Sequence, residues 1–475
     1  MFRFQPYFFV VRTLTLLLGL ASLGLASLAA EPKHRPNILF LLSDDQRPDT
    51  IAALGNSVIK TPNLDALVRR GTTFTQAVCA NPICTPSRGE ILSGCSGFRS
   101  GVLDFGGKLD PQLVLWPAAL GTAGYATTYV GKWHNDGRPI QRGFDATVGL
   151  YRGGGGKFWK DQTDWKGGPI TGYRGWIFQD DTGQLFPERG VGLTANISGL
   201  FADAAIEVIR RKTDQPWFLQ VSFTAPHDPL IMPPGFERMY SADKIPLPPN
   251  FLPEHPFDHG NLRGRDEKLL PFPRTPEMVR DVLRMYYAVI SHMDRQIGRI
   301  LLALEETGQA DNTIVIFSSD HGLGVGSHGI RGKQNMYEHT AGVPLILAGP
   351  GIPRGVRRNA QVYLRELYPT TCDLVGIDIP TTVEGLSFAS VVQGKADSIH
   401  DSVFCYFRDV QRMVRTDRWK LIHYPKIDRW QLFDRLADPH ELHNLVDDVE
   451  KSQVLVALRQ QLAALQRSHN DPLAQ

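Results

Sequence analysis

The stretch Asn37-Ile38-Leu39-Phe40-Leu41-Leu42-Ser43-Asp44-Asp45 passes from an apolar run directly into two adjacent carboxylates. Three later stretches have the same form, and they are 126–134, 217–228 and 313–322. A short run that is apolar on both faces is typical of a strand buried in a largely parallel sheet. Ligands of open α/β sheets bind just beyond the carboxyl ends of the strands. The sequence therefore predicts that the polar clusters after these four runs meet in one site.

Helical segments separate these runs. Apolar residues recur at helical spacing in 63–70, 200–212 and 276–307, and the last segment carries a long apolar face. The alternation of strands and helices predicts an α/β sandwich with a largely parallel central sheet flanked by helices. A fifth apolar run, 343–347, predicts another core strand that is followed by no catalytic cluster.

The pattern changes after about residue 385. Short alternating segments at 403–408, 411–415, 419–424 and 430–433 predict antiparallel strands, and a helix is expected from about 450 to 467. We therefore expect a catalytic domain over 31–385 and a small C-terminal antiparallel-sheet subdomain over 386–475.

The N-terminus has the pattern of a secretory signal peptide. Arg3 and Arg12 precede the almost wholly apolar segment 14–30, which ends in small residues. We expect residues 1–30 to be cleaved near Ala29, so that the mature protein is secreted or periplasmic and has no stable membrane insertion. An uncleaved anchor is the alternative, although the segment is slightly short for a membrane span.

Charge and cysteine content restrict the partners. The 475-residue chain has a formal net charge of +2 and scattered basic residues, so no nucleic-acid partner is expected. Five cysteines are present, and an oxidising compartment permits disulfides among four of them if Cys84 is modified. Spacing does not say whether Cys79, Cys95, Cys372 and Cys405 pair or remain free thiols.

Carboxylates after two of the strands predict a metal site. Asp44 and Asp45 follow the first run, and Asp320 and His321 follow the fourth. A donor set rich in carboxylates suits a hard cation such as Ca²⁺ or Mg²⁺. Adjacent aspartates alone are equally typical of a turn or a helix cap, so the prediction depends on the two pairs coming together.

The block Cys84-Thr85-Pro86-Ser87-Arg88, with its flanking residues, resembles the signature of the type I sulfatases of the alkaline-phosphatase-like superfamily. Similar blocks extend from about residue 35 to about residue 447. The resemblance implies an alkaline-phosphatase-like core. It also implies that a formylglycine-generating maturation enzyme oxidises Cys84 to an aldehyde, whose hydrate attacks sulfur. A buried cysteine beside a proline turn is the alternative interpretation.

The resemblance implies roles for further residues. Arg88 would hold the hydrate or the oxygens on the metal, Lys132 would bind the sulfate, and His134 would assist proton transfer. His227 would contact the sulfate and, with Lys333, protonate the leaving oxygen.

The same resemblance implies a calcium site. Its ligands would be Asp44, Asp45, Asp320, His321 and the converted Cys84. Some relatives carry asparagine in place of His321, and imidazole is a softer ligand than an amide oxygen, so Mg²⁺ and Ca²⁺ both stay open.

The predicted function is sulfate monoester hydrolysis by a secreted sulfatase. We expect a sulfated carbohydrate as substrate, with small aryl or alkyl sulfates as the alternative, because two loop-like stretches carry side chains that suit a sugar-binding cleft. These are Arg152, Trp159, Trp165, Trp176, His255 and His259. Two other functions stay open, namely a formylglycine-dependent phosphonate monoester or phosphodiester hydrolase and a catalytically dead glycan-binding relative.

Overall fold

The computed structural model describes residues 1–5, 35–164, 167–233 and 235–474. The chain divides into two compact units, Met1–His34 and Arg35–Gln475, and all elements below belong to the second. Apart from its first five residues, the predicted signal peptide 1–30 lies outside the described residues. In the described part of the chain, no helix has both the length and the apolar character needed to cross a membrane.

A large mixed sheet forms the centre of this unit. Within the described residues it has nine strands, in the spatial order β5-β4-β3-β6-β1-β7-β8-β2-β9. The strands are β1 (Asn37–Ser43), β2 (Gly71–Val78), β3 (Ala126–Lys132), β4 (Ala146–Arg152), β5 (Ile177–Gln179), β6 (Trp217–Ser222), β7 (Thr313–Ser319), β8 (Leu345–Ala348) and β9 (Val356–Tyr363).

The four predicted strands with polar clusters are neighbours in this sheet. Strands β3, β6, β1 and β7 are adjacent and parallel, and Leu42 near the end of β1 pairs with Ser222 of β6 and Ser318 of β7. Their carboxyl ends therefore lie along one edge, as the sequence predicts.

Other strands differ from the sequence-based expectation. Strand β8, in the run predicted to be a further core strand, is antiparallel to both β7 and β2. Strands β2, β4, β5 and β9 lie at or beside the two ends of the sheet, and β4 and β9 are less completely buried than the central strands. The first half of β9 alternates between partly and fully exposed residues, so it lacks the two-sided apolar pattern by which the central strands are recognised.

Helices cover both faces of the sheet. Leu39 and Leu41 of β1 pack into one hydrophobic core with α1, α5 and α6, whereas Phe40 and Leu42 pack into the other with α2, α4, α8 and α9. This gives the predicted three-layer sandwich, because alternate strand residues point to opposite faces. The helices are α1 (Pro62–Arg70), α2 (Cys84–Ser93), α3 (Gly97–Ser100), α4 (Trp116–Thr122), α5 (Ile197–Ile209), α6 (Pro276–Glu306), α7 (Glu338–Ala341), α8 (Leu367–Val375), α9 (Ala389–Val392) and α10 (Ser452–Ser468).

A second, antiparallel sheet lies near the C-terminus, as predicted. Its strands follow one another as a meander, and they are β10 (Val403–Phe407), β11 (Gln411–Arg415), β12 (Trp419–Tyr424) and β13 (Arg429–Asp434). Its core includes Leu458 and Leu462 of α10 together with Met336 and Tyr337 from the segment before α7. The boundary at residue 385 stays a prediction.

Candidate active site

Three strand ends and one helix start converge at the predicted edge. Asp44 and Asp45 follow β1, Lys132 is the last residue of β3, and Asp320 follows β7. Cys84 is the first residue of α2, a helix whose ten residues are all buried. The helix N-terminus carries partial positive charge, which favours an anion beside Cys84.

The Cys84 thiol lies at the centre of the cluster. Its Sγ is 3.5 Å from Asp44 Oδ1, 3.3 Å from His321 Nε2 and 3.5 Å from Lys333 Nζ. Burial raises the pKa of the Cys84 thiol well above its usual value, although Lys132 and Lys333 oppose this. The unmodified thiol is therefore protonated at neutral pH and is a poor nucleophile.

Three buried carboxylates face three buried cations. Lys132 Nζ is 2.5 Å from Asp44 Oδ2, and Lys333 Nζ is 2.7 Å from Asp45 Oδ1. The Arg88 guanidinium reaches two carboxylates, with Nη2 at 2.9 Å from Asp320 Oδ2 and 3.3 Å from Asp44 Oδ1. Arg88 Nη1 is buried and has no hydrogen-bond partner among the described residues, so it can still donate to a ligand.

The nearby positive charges do not favour the ionised forms of Asp44 and Asp45 equally. Burial alone would raise the pKa of Asp44, but Lys132 and the other nearby cations hold it well below its ordinary value. Burial, together with the Asp44 and Asp320 carboxylates, raises the pKa of Asp45 well above its ordinary value despite Lys333. The raised pKa of Asp45 indicates that the three buried carboxylates have too little positive charge around them. A divalent cation would supply that charge.

His321 is arranged as a ligand. Its Nδ1 lies 3.0 Å from the Gly322 carbonyl oxygen, which requires the proton on Nδ1 and leaves the lone pair on Nε2. Nε2 faces Asp45 Oδ1 at 3.4 Å, and burial lowers the pKa of His321 to about 4. Ligand atoms of Asp44, Cys84, Asp320 and His321 all lie within 4.8 Å of one another, so the cluster is a candidate metal site.

Asp45 has a backbone conformation that is rare for a non-glycine residue. Its φ is 67°, in the left-handed region. Its N–H donates to Asp320 Oδ1 at 3.1 Å, and its carbonyl accepts from the Tyr286 hydroxyl at 2.5 Å. Such strain persists where surrounding contacts fix it, and here those contacts direct two successive carboxylates into one pocket.

Two histidines border the cluster. His227 Nε2 is 3.8 Å from Asp45 Oδ2, and its Nδ1 is 2.6 Å from the Asp228 carbonyl oxygen. Burial, reinforced by Lys333, lowers the pKa of His227 well below its ordinary value. His134 packs edge-on against Trp176, with 5.0 Å between ring centroids, and its buried Nδ1 has no hydrogen-bond partner among the described residues. The structure thus places every predicted catalytic and metal-binding residue at this cluster or directly beside it.

One aromatic side chain in the site was not predicted. The Tyr173 hydroxyl donates to Asp44 Oδ2, and its ring lies 5.0 Å from the His227 ring and 5.2 Å from Lys132 Nζ. Tyr173 lies between β4 and β5, in a stretch with several aromatic residues, and no spacing or motif distinguishes it from the others.

Part of the expected sugar-binding cleft does not form. His255 and His259 are 3% and 1% exposed, so neither is available to a sugar. The His255 Nε2 atom contacts the Tyr337 hydroxyl at 3.0 Å, and His259 lies beside Gln411 of β11. These histidines pack the segment 255–259 against the C-terminal sheet and its core. Composition alone does not distinguish this role from ligand binding.

The other expected cleft residues divide into three cases. Trp176 lies in the site beside Tyr173, whereas Trp159 is stacked near the Arg174 guanidinium at 5.9 Å. Arg152 ends β4 and is about half-buried. Trp165 lies outside the described residues. All five cysteines lie among the described residues, where they are buried free thiols and form no disulfide.

Comparison with known families decides the relationship. The family model described as Sulfatase matches residues 36–377, most of the chain and all of the site. The chain belongs to the sulfatase family. A second model, described as the C-terminal region of N-sulphoglucosamine sulphohydrolase, matches residues 326–468 of this sulfatase.

Individual relatives agree with that assignment. A protein of Bacteroides thetaiotaomicron named N-acetylglucosamine-6-O-sulfatase is 27% identical over 537 aligned residues, covering 96% of this sulfatase and 91% of the relative. This chain is accordingly a sulfuric ester hydrolase, as the Cys84 block predicts.

Solved structures share the fold. One described as a complex with its substrate D-glucosamine-2-N,6-O-disulfate has a TM-score of 0.78 at 23% identity, covering 93% of this chain and 99% of that chain. A phosphonate monoester hydrolase from Silicibacter pomeroyi has a TM-score of 0.76 at 22% identity, covering 91% and 96%. At such identities the likeness concerns architecture alone, and it confirms the predicted alkaline-phosphatase-like sandwich.

Proposed function

We propose that this sulfatase hydrolyses sulfate monoesters with Cys84 converted to formylglycine. The observation that carries the proposal is the position of Cys84 Sγ, within 3.5 Å of a carboxylate, an imidazole and an ammonium group. The high pKa of the thiol supports conversion, because a protonated thiol would be inert there. Formylglycine at this position would supply a hydrated aldehyde as the nucleophile.

Asp44, Asp45, Asp320 and His321 would hold a divalent cation. Carboxylates dominate this donor set, which favours Ca²⁺, with Mg²⁺ as the alternative. When bound, the cation would stabilise negative charge on the reacting oxygens.

The surrounding cations would orient the sulfate group. Lys132 and Lys333 are paired with different carboxylates of the pocket, and Arg88 Nη1 has no hydrogen-bond partner among the described residues. Charge-assisted hydrogen bonds from these donors would stabilise the negative oxygens more strongly in the transition state than in the ground state. The buried Nδ1 of His134 has no hydrogen-bond partner among the described residues, so this histidine would accept or return the proton of the nucleophile.

His227 and Lys333 would deliver the proton to the leaving oxygen. Asp45 and Cys84 raise the pKa of Lys333 well above its ordinary value against the effect of burial, so this ammonium keeps its proton at neutral pH. His227 carries its neutral-state proton on Nδ1 against the Asp228 carbonyl, so donation from Nε2 requires a second proton. The negative charge of a bound sulfate ester would favour that protonated form of His227.

A sulfated carbohydrate is the substrate class we favour. The relative named N-acetylglucosamine-6-O-sulfatase supports it, as do Tyr173 and Trp176 beside the cluster, since aromatic faces pack against sugar rings. We further propose that residues 1–30 direct the enzyme to the periplasm or the medium, where such substrates occur.

The first test is the mass of the tryptic peptide that contains position 84. The protein would be co-expressed with a formylglycine-generating enzyme, and an aldehyde mass, lighter than the thiol form, is expected. A persistent thiol would remove the centre of the mechanism. Matched aryl sulfate and phenyl phosphonate esters would then be compared, and faster phosphonate hydrolysis would favour the alternative activity.

A further inference from the structure

A cavity of about 210 Å³ adjoins the catalytic cluster. Two of its lining residues are next to catalytic side chains, because Asp228 directly follows His227 and Arg331 precedes Lys333 by two positions. Much of the wall is apolar and comes from Ile170, Leu230, Leu270, Pro271, Met278 and Val282. The cavity is therefore placed to receive the part of a substrate that extends beyond its reacting sulfate.

Arg331 brings to this cavity a positive charge that no carboxylate among the described residues binds directly. The residue is only 4% exposed, yet among the described residues its guanidinium makes neither a hydrogen bond nor an ion pair. Arginine is almost never so deeply buried unless it is paired, because desolvating an uncompensated charge is costly. A ligand that supplies an anion in direct contact with the guanidinium would reduce this cost.

The nearby carboxylate of Glu267 is attracted by the charge of Arg331, but it hydrogen-bonds to the backbone of Arg331 and not to its guanidinium. Glu267 Oε2 accepts the N–H of Arg331 at 2.9 Å and lies 2.5 Å from Arg274 Nη2, while Oε1 accepts the N–H of Gly332 at 2.8 Å. These contacts fix the chain at 331–332 and leave the guanidinium of Arg331 to the cavity.

The acidic residues of the cavity have partners of their own. Arg265 binds Asp228 through both carboxylate oxygens and also lies 2.7 Å from Asp266. Asp164 Oδ1 accepts the N–H of Gly168 at 2.8 Å. Arg265 is thus occupied by two carboxylates, whereas Arg331 lines the cavity and can still bind a ligand.

We propose that Arg331 binds a second anionic group of the substrate, a carboxylate or a second sulfate on the leaving-group sugar. The apolar wall would pack against the ring of that sugar, while the Lys132 and Lys333 side chains hold the reacting sulfate. This inference rests on the proposed function and narrows its substrate class from sulfated carbohydrates to those with at least two anionic groups.

The test compares kcat/KM of the wild-type enzyme with that of Arg331→Met. The substrates are 4-nitrophenyl sulfate, N-acetylglucosamine 6-sulfate, disulfated glucosamines, and unsaturated disaccharides that combine a uronate with one sulfate. The wild type should prefer a substrate with a second anion. Arg331→Met should lower kcat/KM on that substrate by about 10- to 100-fold, mainly through KM, and on 4-nitrophenyl sulfate by less than about 3-fold.

Matched measurements separate the outcomes. Arg331→Lys keeps the charge and should retain part of the preference, whereas a uniform loss on every substrate would mean a structural role and overturn the inference. A wild-type preference for sugars with a single sulfate would also overturn it. If the converted enzyme hydrolyses no sulfate ester, the proposed function itself fails and the inference falls with it. Preference for the disulfated or the uronate substrates identifies which anion Arg331 binds.

Discussion

A buried ion network joins the C-terminal sheet to the loop that carries Lys333. The ammonium of Lys420 on β12 is 2.6 Å from Glu338 Oε1 and 2.5 Å from Glu441 Oε1. It also donates to the carbonyl oxygen of Met336 at 3.1 Å, three residues after Lys333. The side chains of Lys420 and Glu441 are 0% and 1% exposed. This network should therefore influence both the stability of the protein and the position of Lys333, the lysine that we propose as a proton donor.

Lys420→Met is expected to destabilise the protein by about 3–5 kcal/mol, the usual cost of removing one partner from a buried ion pair. Among the described residues, Glu441 has no other ion-pair partner, so its carboxylate would be left buried and uncompensated. Glu338 would keep Arg415 at 3.0 Å and Arg435 at 3.4 Å, which limits the damage to one carboxylate.

Urea unfolding followed by tryptophan fluorescence measures this loss. Lys426→Met is the matched control, because Lys426 forms a 2.9 Å ion pair with Asp409 near the same sheet while both side chains are more than half exposed (56% and 59%). An exposed pair contributes about 0–1 kcal/mol, so the control should unfold nearly as the wild type does. Activity at low denaturant should fall for Lys420→Met alone, since the Lys333 loop loses its Met336 contact.

The pH dependence gives a second readout. Burial raises the pKa of Glu441 above 4.5, and Lys420 opposes that shift, so the pKa should rise further in Lys420→Met. When the pKa of a carboxyl is higher in the folded than in the unfolded protein, the folded protein becomes less stable as the pH rises above the unfolded-state pKa. The deficit of the variant should therefore grow from about pH 5 to pH 7. A deficit below about 1 kcal/mol, or one equal to that of Lys426→Met, would refute the reasoning.

Three further outcomes are expected. Cys84→Ala should abolish sulfate ester hydrolysis, whereas Cys79→Ala, which alters another buried thiol, should keep it; equal activities in a 4-nitrophenyl sulfate assay would contradict the role of Cys84. Chelation with EDTA should lower both activity and Tm, because three buried carboxylates would lose their counter-charge. Addition of Ca²⁺ or Mg²⁺ should restore both. Calorimetry that shows no change in Tm would argue against a cation site. Tyr173→Phe removes one hydrogen bond to Asp44 and should reduce kcat/KM about 5-fold, as expected for a loss of about 1 kcal/mol. Tyr125→Phe is the control, because the Tyr125 hydroxyl donates to the Pro36 carbonyl, and it should leave kcat/KM unchanged.

Local patterns in the sequence determined much of the architecture. The central strands are apolar on both faces, so β1 and β7 are recognisable: the apolar runs 37–42 and 313–317 match these strands to within two residues at each end. The long helix α6 and the four strands of the C-terminal sheet are equally clear, because periodicities of 3.6 and 2 residues depend only on neighbours in the chain. The Cys84 block and the strand-end clusters likewise point to one site, since carboxyl ends of parallel strands share an edge.

Only the tertiary structure decided which distant groups meet. Tyr173 reaches Asp44 across 129 positions, and Lys420 reaches Met336 across 84, with no motif to mark either contact. The same is true of Arg331. Its neighbours in sequence do not indicate that its buried guanidinium makes no hydrogen bond or ion pair among the described residues. Sequence periodicity records which face of an element is buried. The partner of a buried polar group depends instead on how separate loops pack, and that is fixed only when the whole chain has folded.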